Sequence, residues 1–198
     1  MTGLILASGS VTRLEMLRQA GVAVTVERAN VDEASAIESL MAEKAKPRDI
    51  ADFLAELKAV RVSAQHPGAM VIGADQVLSL GTRIFQKPST RAVAREHLLA
   101  LRGQTHVLSS AVCVSRDGNI IWREVREARL TMRDFSDRFV DDYLQQAGEE
   151  ILGSVGAYQV EKLGVQLFSR IEGDHFTILG LPLIPLLEFL RSHGILIA

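Results

Sequence analysis

Apolar residues along the chain recur with two different periods. Runs rich in branched side chains stand at residues 3–7, 23–28, 71–77, 105–115, 120–132 and 166–171, each bounded by glycine, proline or small polar residues, and they predict β-strands. Between them apolar positions return every three or four residues, which predicts helices over 11–20, 48–65, 91–101 and 137–147, a helical run opened by Asp32 and Glu33, and a terminal helix reaching His193. The buried faces are read as Val11, Leu14 and Leu17 in the first helix, and Ile50, Phe53, Leu54 and Leu57 in the long one, with the cations Lys58 and Arg61 continuing that stripe. Punctuation agrees with these spans. Pro47 suits a first helical position, Ser136 a cap, and Gly103 and Gly148 follow helix ends. A hairpin is expected to turn near Gly81 and another at residues 116–119. Strands alternating with helices, joined by an antiparallel section, predict an α/β fold with a mixed, twisted sheet flanked by helices.

With 198 residues the chain can build one sizeable core, so a single domain over 1–198 is expected, with room for two lobes around a substrate cleft. A net charge of -2 removes the electrostatic case for a nucleic acid partner. Cys113 stands alone among apolar neighbours, so it reads as an inert core thiol in a reducing compartment. The first residues carry no basic leader and form no spanning run, so no membrane partner and a cytoplasmic location are expected. The five histidines never fall at zinc-ligand spacing, and no G-x-S-x-G elbow supports a serine nucleophile.

The candidate chemistry gathers around residues 71–77, a buried strand in which two small residues, Gly73 and Ala74, precede the carboxylate of Asp75. The small pair leaves room for another group to approach the backbone. Asp75 is the candidate catalytic acid or base, although a strand-end Asp also serves as an ordinary cap or turn residue. Ser8, Gly9 and Ser10 separate the first strand from the first helix, so hydroxyls and free N–H groups gather where a helix dipole favours an anion. A plain N-cap at Ser10 with a solvated Arg13 is the alternative there. Glu33 either serves a helix N-terminus or faces the site as a metal ligand or orienter of water. Lys58, on the inward side of its helix, should border acids or an anionic ligand, because a bare buried charge costs several kcal/mol or more. Lys87 adds a cation just before another helix start.

Taken together in this order, several short motifs resemble the Maf family of nucleoside triphosphate pyrophosphatases. They are residues 6–10 with Arg13, Leu14 and Leu17; 31–33; Leu57 and Lys58; 73–75; Lys87 and Pro88; 101–106; 156–158; and 180–183. The resemblance runs nearly end to end. It implies a mixed α/β fold with two lobes around a substrate cleft, of the Maf and inosine triphosphatase type, a divalent cation such as Mg2+ or Mn2+, a homodimer, and hydrolysis of a nucleoside triphosphate to monophosphate and pyrophosphate. In that reading Asp75 is the general base, Asp75 and Glu33 hold the metal, and Ser8, Ser10, Arg13, Lys58 and Lys87 bind the phosphates. Where the family often has Pro-Arg-Arg the chain has Val11, Thr12 and Arg13, and where it has Lys-Ala-Gly the chain has Ser154, Val155 and Gly156, so one arginine and one lysine are missing. Thr12, Gln76 and Glu161 occupy specificity positions. Gln76 and Glu161 match the branch acting on 7-methyl-GTP, whereas the dTTP and UTP branch carries Thr and Gln there. A carboxylate can accept from both N1–H and N2–H of guanine, which suits Glu161 to a guanine-like base, with Tyr158 and Phe168 the only aromatic residues near it in sequence. Glu161 paired with Lys162 at the surface is the plainer alternative. A dTTP or UTP pyrophosphatase, or a nucleotide-binding regulator of cell division with little turnover, is the alternative function.

Overall fold

Residues 4–7 and 70–75 are buried at every position, the pattern of strands covered on both faces of a sheet. The computed structural model describes residues 3–197. Its strands are β1 (Leu4–Ala7), β2 (Thr25–Val26), β3 (Met70–Leu80), β4 (Arg83–Phe85), β5 (Thr105–Arg116), β6 (Asn119–Met132) and β7 (Phe168–Glu172). Its helices are α1 (Val11–Gln19), α2 (Glu33–Ala42), α3 (Pro47–Ser63), α4 (Arg91–Leu101), α5 (Asp137–Ala147), α6 (His175–Ile178) and α7 (Leu183–Ser192). Among the described residues the strands form one mixed sheet in the order β2-β1-β3-β5-β6-β7, with β4 paired to β3. β1 runs parallel to both β2 and β3, while β4 and β7 pair antiparallel.

The chain divides into two compact units. The first takes the chain up to Gln76, then Ser109–Arg126, then the residues from His175 onward. Alternation along β1 places Leu4 and Leu6 in a core shared with Met16, Leu17, Ile72, Leu186 and Leu190, while Ile5 and Ala7 join Val62 and Val71 on the opposite side. Gly73 earns its place by contact: a Cβ there would lie 2.1 Å from the Ala55 carbonyl oxygen and 2.7 Å from Ala59 Cβ. The group that approaches this small residue is therefore helix α3 itself.

The second unit comprises Val77–Leu108 and Glu127–Asp174. Here α4 packs on α5 and on the short turn at residues 155–157. Thr90 and Ser136 cap α4 and α5 by accepting the N–H of Val93 and Phe139, each at 3.2 Å. Arg95 and Arg102 tie the two helices through Asp137 and Asp141.

Several expected faces are rotated. Val11 is 71 % exposed, and the buried face of α1 is Arg13, Met16 and Leu17. Phe53 and Arg61 likewise face outward on α3, whose inward row is Ile50, Ala51, Leu54, Ala55, Lys58, Ala59 and Val62. In α1 a charged residue with partners inside takes a seat that hydropathy would have given to an apolar one, whereas Lys58 keeps the inward place on α3 that its position in the stripe predicts. β2 keeps only two residues of the expected run because β1 offers it just Ile5 and Leu6 as partners.

Candidate active site

Pairing between β1 and β3 ends at Ala7 opposite Gly73, and β1 then leaves the sheet through Ser8, Gly9 and Ser10 into α1. β3 continues, so Ala74, Asp75 and Gln76 lie beyond the end of their parallel neighbour, at the strand ends where α/β sheets bind ligands. Asp75 is thus inside a strand rather than capping one. Its side chain is 10 % exposed and forms an ion pair with Lys58, whose side chain is 9 % exposed. The same Lys58 Nζ lies 3.0 Å from Glu33 Oε1. One ammonium therefore holds two carboxylates, and its third proton is left for another acceptor.

Local capping decides which acid joins this cluster. Asp32 is the N-cap of α2 and accepts the Ser35 N–H at 3.0 Å and the Ser35 hydroxyl at 2.8 Å. These bonds lower its pKa and spend it on the helix. Glu33, the first helical residue, is left free to reach Lys58 with a side chain 49 % exposed.

Ser10 caps α1, as the plain reading has it, accepting the Arg13 N–H at 3.3 Å. Arg13 itself is buried rather than solvated. Its Nε donates to the Gly180 carbonyl oxygen at 2.8 Å, and its Nη1 donates to Ser8 Oγ at 3.1 Å and to the Ala74 carbonyl oxygen at 3.0 Å. Burial lowers its pKa, and the nearby Asp75 and Glu33 work against that shift. The guanidinium thus stitches α1 to β3 where β1 has ended, and only Nη2 remains for a ligand. Ser8 Oγ accepts from Arg13 and, at 3.3 Å, from the Ser10 N–H, so its own proton is available to donate. The N–H groups of Val11 and Thr12 open the helix without intrahelical acceptors. Beside this loop lies a cavity of about 440 Å³ lined in part by Ser8, Gly9, Ser10, Arg18 and Arg28. Sequence patterns did not single out these two arginines, because only the fold brings them to the loop.

Gln76 projects from the other face of β3. Its Nε2 donates to Ser110 Oγ at 3.0 Å and to the carbonyl oxygens of Thr177 and Ile178 at 3.2 and 3.0 Å. The turn after α6 is therefore fastened by Gln76 and Arg13 together, a role invisible to motif reading because the partners lie about a hundred residues or more away in sequence.

Lys87 and Glu161 belong to the second unit. Lys87 is exposed between β4 and α4. Glu161 is exposed and makes no ion pair among the described residues; Lys162 pairs instead with Glu150 at 2.5 Å. Tyr158 does not offer a ring face at the surface, being 5 % exposed with its hydroxyl 2.7 Å from His106 Nε2 and its ring edge against Phe168.

Among the described residues no group of three or more His, Cys, Asp or Glu could hold a metal unaided. Asp75 and Glu33 nevertheless converge on one position already occupied by a positive charge. Two hard carboxylates completed by phosphate oxygens and water match the way magnesium is bound at phosphoryl-transfer sites. The donor set fits such an ion.

The Maf family profile, described as Maf-like protein, matches residues 3–193. A nucleoside triphosphate pyrophosphatase of Paramagnetospirillum magneticum is 57 % identical over 193 residues, covering 98 % of this chain and 100 % of that protein. One from Caulobacter vibrioides is 54 % identical, covering 99 % and 98 % of the two chains. A 7-methyl-GTP pyrophosphatase of Mesorhizobium japonicum is 50 % identical and covers 96 % of each. With a profile spanning nearly its whole length and relatives sharing half or more of its residues end to end, the chain belongs to the Maf family.

Proposed function

We propose that this protein hydrolyses nucleoside triphosphates between the α and β phosphates, releasing a nucleoside monophosphate and pyrophosphate. The observation that carries the reading is the Lys58 ammonium shared by Asp75 and Glu33 at the end of β1, beside the Ser8–Ser10 loop. Relatives named for this activity support it. Asp75 is the general base: one of its oxygens stays on Lys58 while the other takes a proton from the water that attacks the α phosphorus. The new bond joins that water oxygen to phosphorus, and the bond broken is the one to the bridging oxygen, which leaves with pyrophosphate. Asp75 and Glu33 would hold a Mg2+ or Mn2+ ion, which when bound supplies charge neutralisation to the phosphates. The Ser8 and Ser10 hydroxyls, the start of α1 and Arg13 Nη2 donate to phosphate oxygens, and Lys58 and Lys87 add positive charge.

Glu161 is the base-reading residue, and Gln76, which fastens the turn after α6 through its amide nitrogen, and Thr12 in the first turn of α1 are further specificity positions. The Glu161 carboxylate favours a guanine-like base such as 7-methylguanine, a reading supported by relatives named 7-methyl-GTP pyrophosphatase. Among the described residues no helix is long and apolar enough to cross a membrane. We take the protein to work in the cytoplasm as a homodimer on free nucleotides, without a nucleic acid partner.

Replacing Asp75 with Asn tests the assignment. The Asn amide keeps the shape but cannot accept a proton, so product formation should fall by 10²-fold or more, on the order expected for a lost general base, while nucleotide binding persists. A fully active Asn variant would falsify the role given to Asp75.

A further inference from the structure

Glu161 sits exposed on a turn and makes no salt bridge among the described residues, and the segment leading to it is held in an unusual way. Two successive residues, Gly156 and Ala157, adopt left-handed backbone angles, with φ of 76° and 60°. Glycine takes this conformation freely, but alanine does so at a cost that surrounding contacts must offset. Those contacts are specific. The Tyr143 hydroxyl, on α5, donates to the Ala157 carbonyl oxygen at 3.1 Å. The next residue, Tyr158, places its hydroxyl 2.7 Å from His106 Nε2 on β5, with both residues buried. Gly156 is closed in from the other side, since a Cβ there would lie 2.5 Å from Leu78 Cδ1. Downstream, a Cβ on Gly164 would lie 2.5 Å from the Gln159 carbonyl oxygen, so the turn is closed tightly behind Glu161 as well.

Gly156, Ala157 and Tyr158 are themselves buried, so these contacts fix the backbone from which the chain emerges to Glu161 at the surface. The exposed group this anchored segment leads to is a carboxylate that makes no salt bridge among the described residues, although its field reaches Lys162 and Tyr143 and raises the pKa of both. We propose that Tyr143 and the hydrogen-bonded pair His106 and Tyr158 are positioning residues for Glu161, holding the Gly156–Ala157 turn so that the carboxylate meets the two donors of a guanine-type base in a fixed place. The proposal rests on the reading of Glu161 as the base-recognition residue. A bidentate contact to N1–H and the exocyclic amine requires both oxygens in register, and a turn free to shift would retain the single contact and lose the second. Inosine, which has N1–H and lacks the exocyclic amine, is therefore the probe that separates the two situations.

The test uses α,β-methylene analogues of GTP and ITP, which cannot be cleaved at the expected bond, with dissociation constants measured by calorimetry on the full chain. The unmodified protein should bind the guanine analogue about tenfold more tightly, the size of one well-made hydrogen bond to a charged acceptor. Glu161→Gln should remove that ratio, and an unchanged ratio in this variant would remove the underlying reading and the proposal with it. Tyr143→Phe, which deletes only a hydroxyl, should reduce the ratio several-fold, and Tyr158→Phe provides a second route to the same result. In the Glu161→Gln background neither change should alter the ratio further. If Glu161→Gln moves the ratio while both tyrosine variants leave it intact, or alter it equally in both backgrounds, the positioning role is overturned and the reading of Glu161 stands. In turnover of GTP, the effect of Tyr143→Phe should fall on KM rather than kcat.

Discussion

Replacing Gly73 with alanine probes the contact that seats α3 against β3 and, through it, Lys58 against Asp75. The added Cβ would stand 2.1 Å from the Ala55 carbonyl oxygen, 2.7 Å from Ala59 Cβ and 2.8 Å from Ala59 N. Real Cβ atoms essentially never approach within 3.0 Å, so helix and strand must separate by at least 0.9 Å (3.0 less 2.1). Two of the three obstacles are backbone atoms, which no rotamer change can move aside. Overpacking of this kind costs about 3 kcal/mol or more, which for a chain of this size lowers Tm by roughly 6–12 °C. The same separation draws Lys58 away from Asp75, and a misplacement of about 1 Å at a reacting centre costs on the order of 10²-fold in rate. Thermal unfolding followed by circular dichroism and steady-state turnover measure the two effects on one preparation. Adding Ala59→Gly should not rescue the variant, because the clash with the Ala55 carbonyl remains. A Tm within 2 °C of the parent with full activity would refute the reasoning.

Two further perturbations address the anchors. Burial holds the His106 imidazole down at about 4, against an ordinary 6.5. Its folded pKa lies below its unfolded one, so its neutral form favours folding fully above pH 6.5, and the advantage fades as pH falls towards 4; the total is about 3 kcal/mol, of which roughly 2 disappears between pH 7 and pH 5. Urea unfolding at those two values should show His106→Gln losing that much less than the parent, and parallel losses would contradict the burial argument. Arg13→Lys keeps the charge but cannot serve Gly180, Ser8 and Ala74 together, so stability should drop by about 2 kcal/mol or more as buried acceptors lose their donor. Denaturant midpoints decide that case, and an unaltered midpoint would mean the clamp contributes nothing.

Period and punctuation made most elements legible, because each is buried on a face that its own sequence marks and is closed by residues whose backbone preferences are local. The hairpin at Gly81, the cap at Ser136 and the close approach at Gly73 are of this kind. The α1 face was not legible: hydropathy assigns Val11 to the core and Arg13 to solvent, yet Arg13 has carbonyl partners 61 and 167 residues away that no local rule reveals. The same limit applies to the site. That Lys58 would need acids near it followed from its inward position, but that those acids are Asp75 and Glu33, with Asp32 spent on a cap, required the fold. Tyr158 shows the opposite failure, since an aromatic residue close in sequence to Glu161 turned inward to His106 rather than towards a ligand.

The central claim is that a water activated at Asp75 attacks the α phosphorus. Hydrolysis of GTP or 7-methyl-GTP in oxygen-18 water with Mg2+, followed by mass spectrometry of both products, tests it directly. The account predicts unlabelled pyrophosphate and a monophosphate carrying one labelled oxygen. Label in the pyrophosphate would place the attack on the β phosphorus, and release of orthophosphate would place the cleavage at another bond; either result would contradict the mechanism.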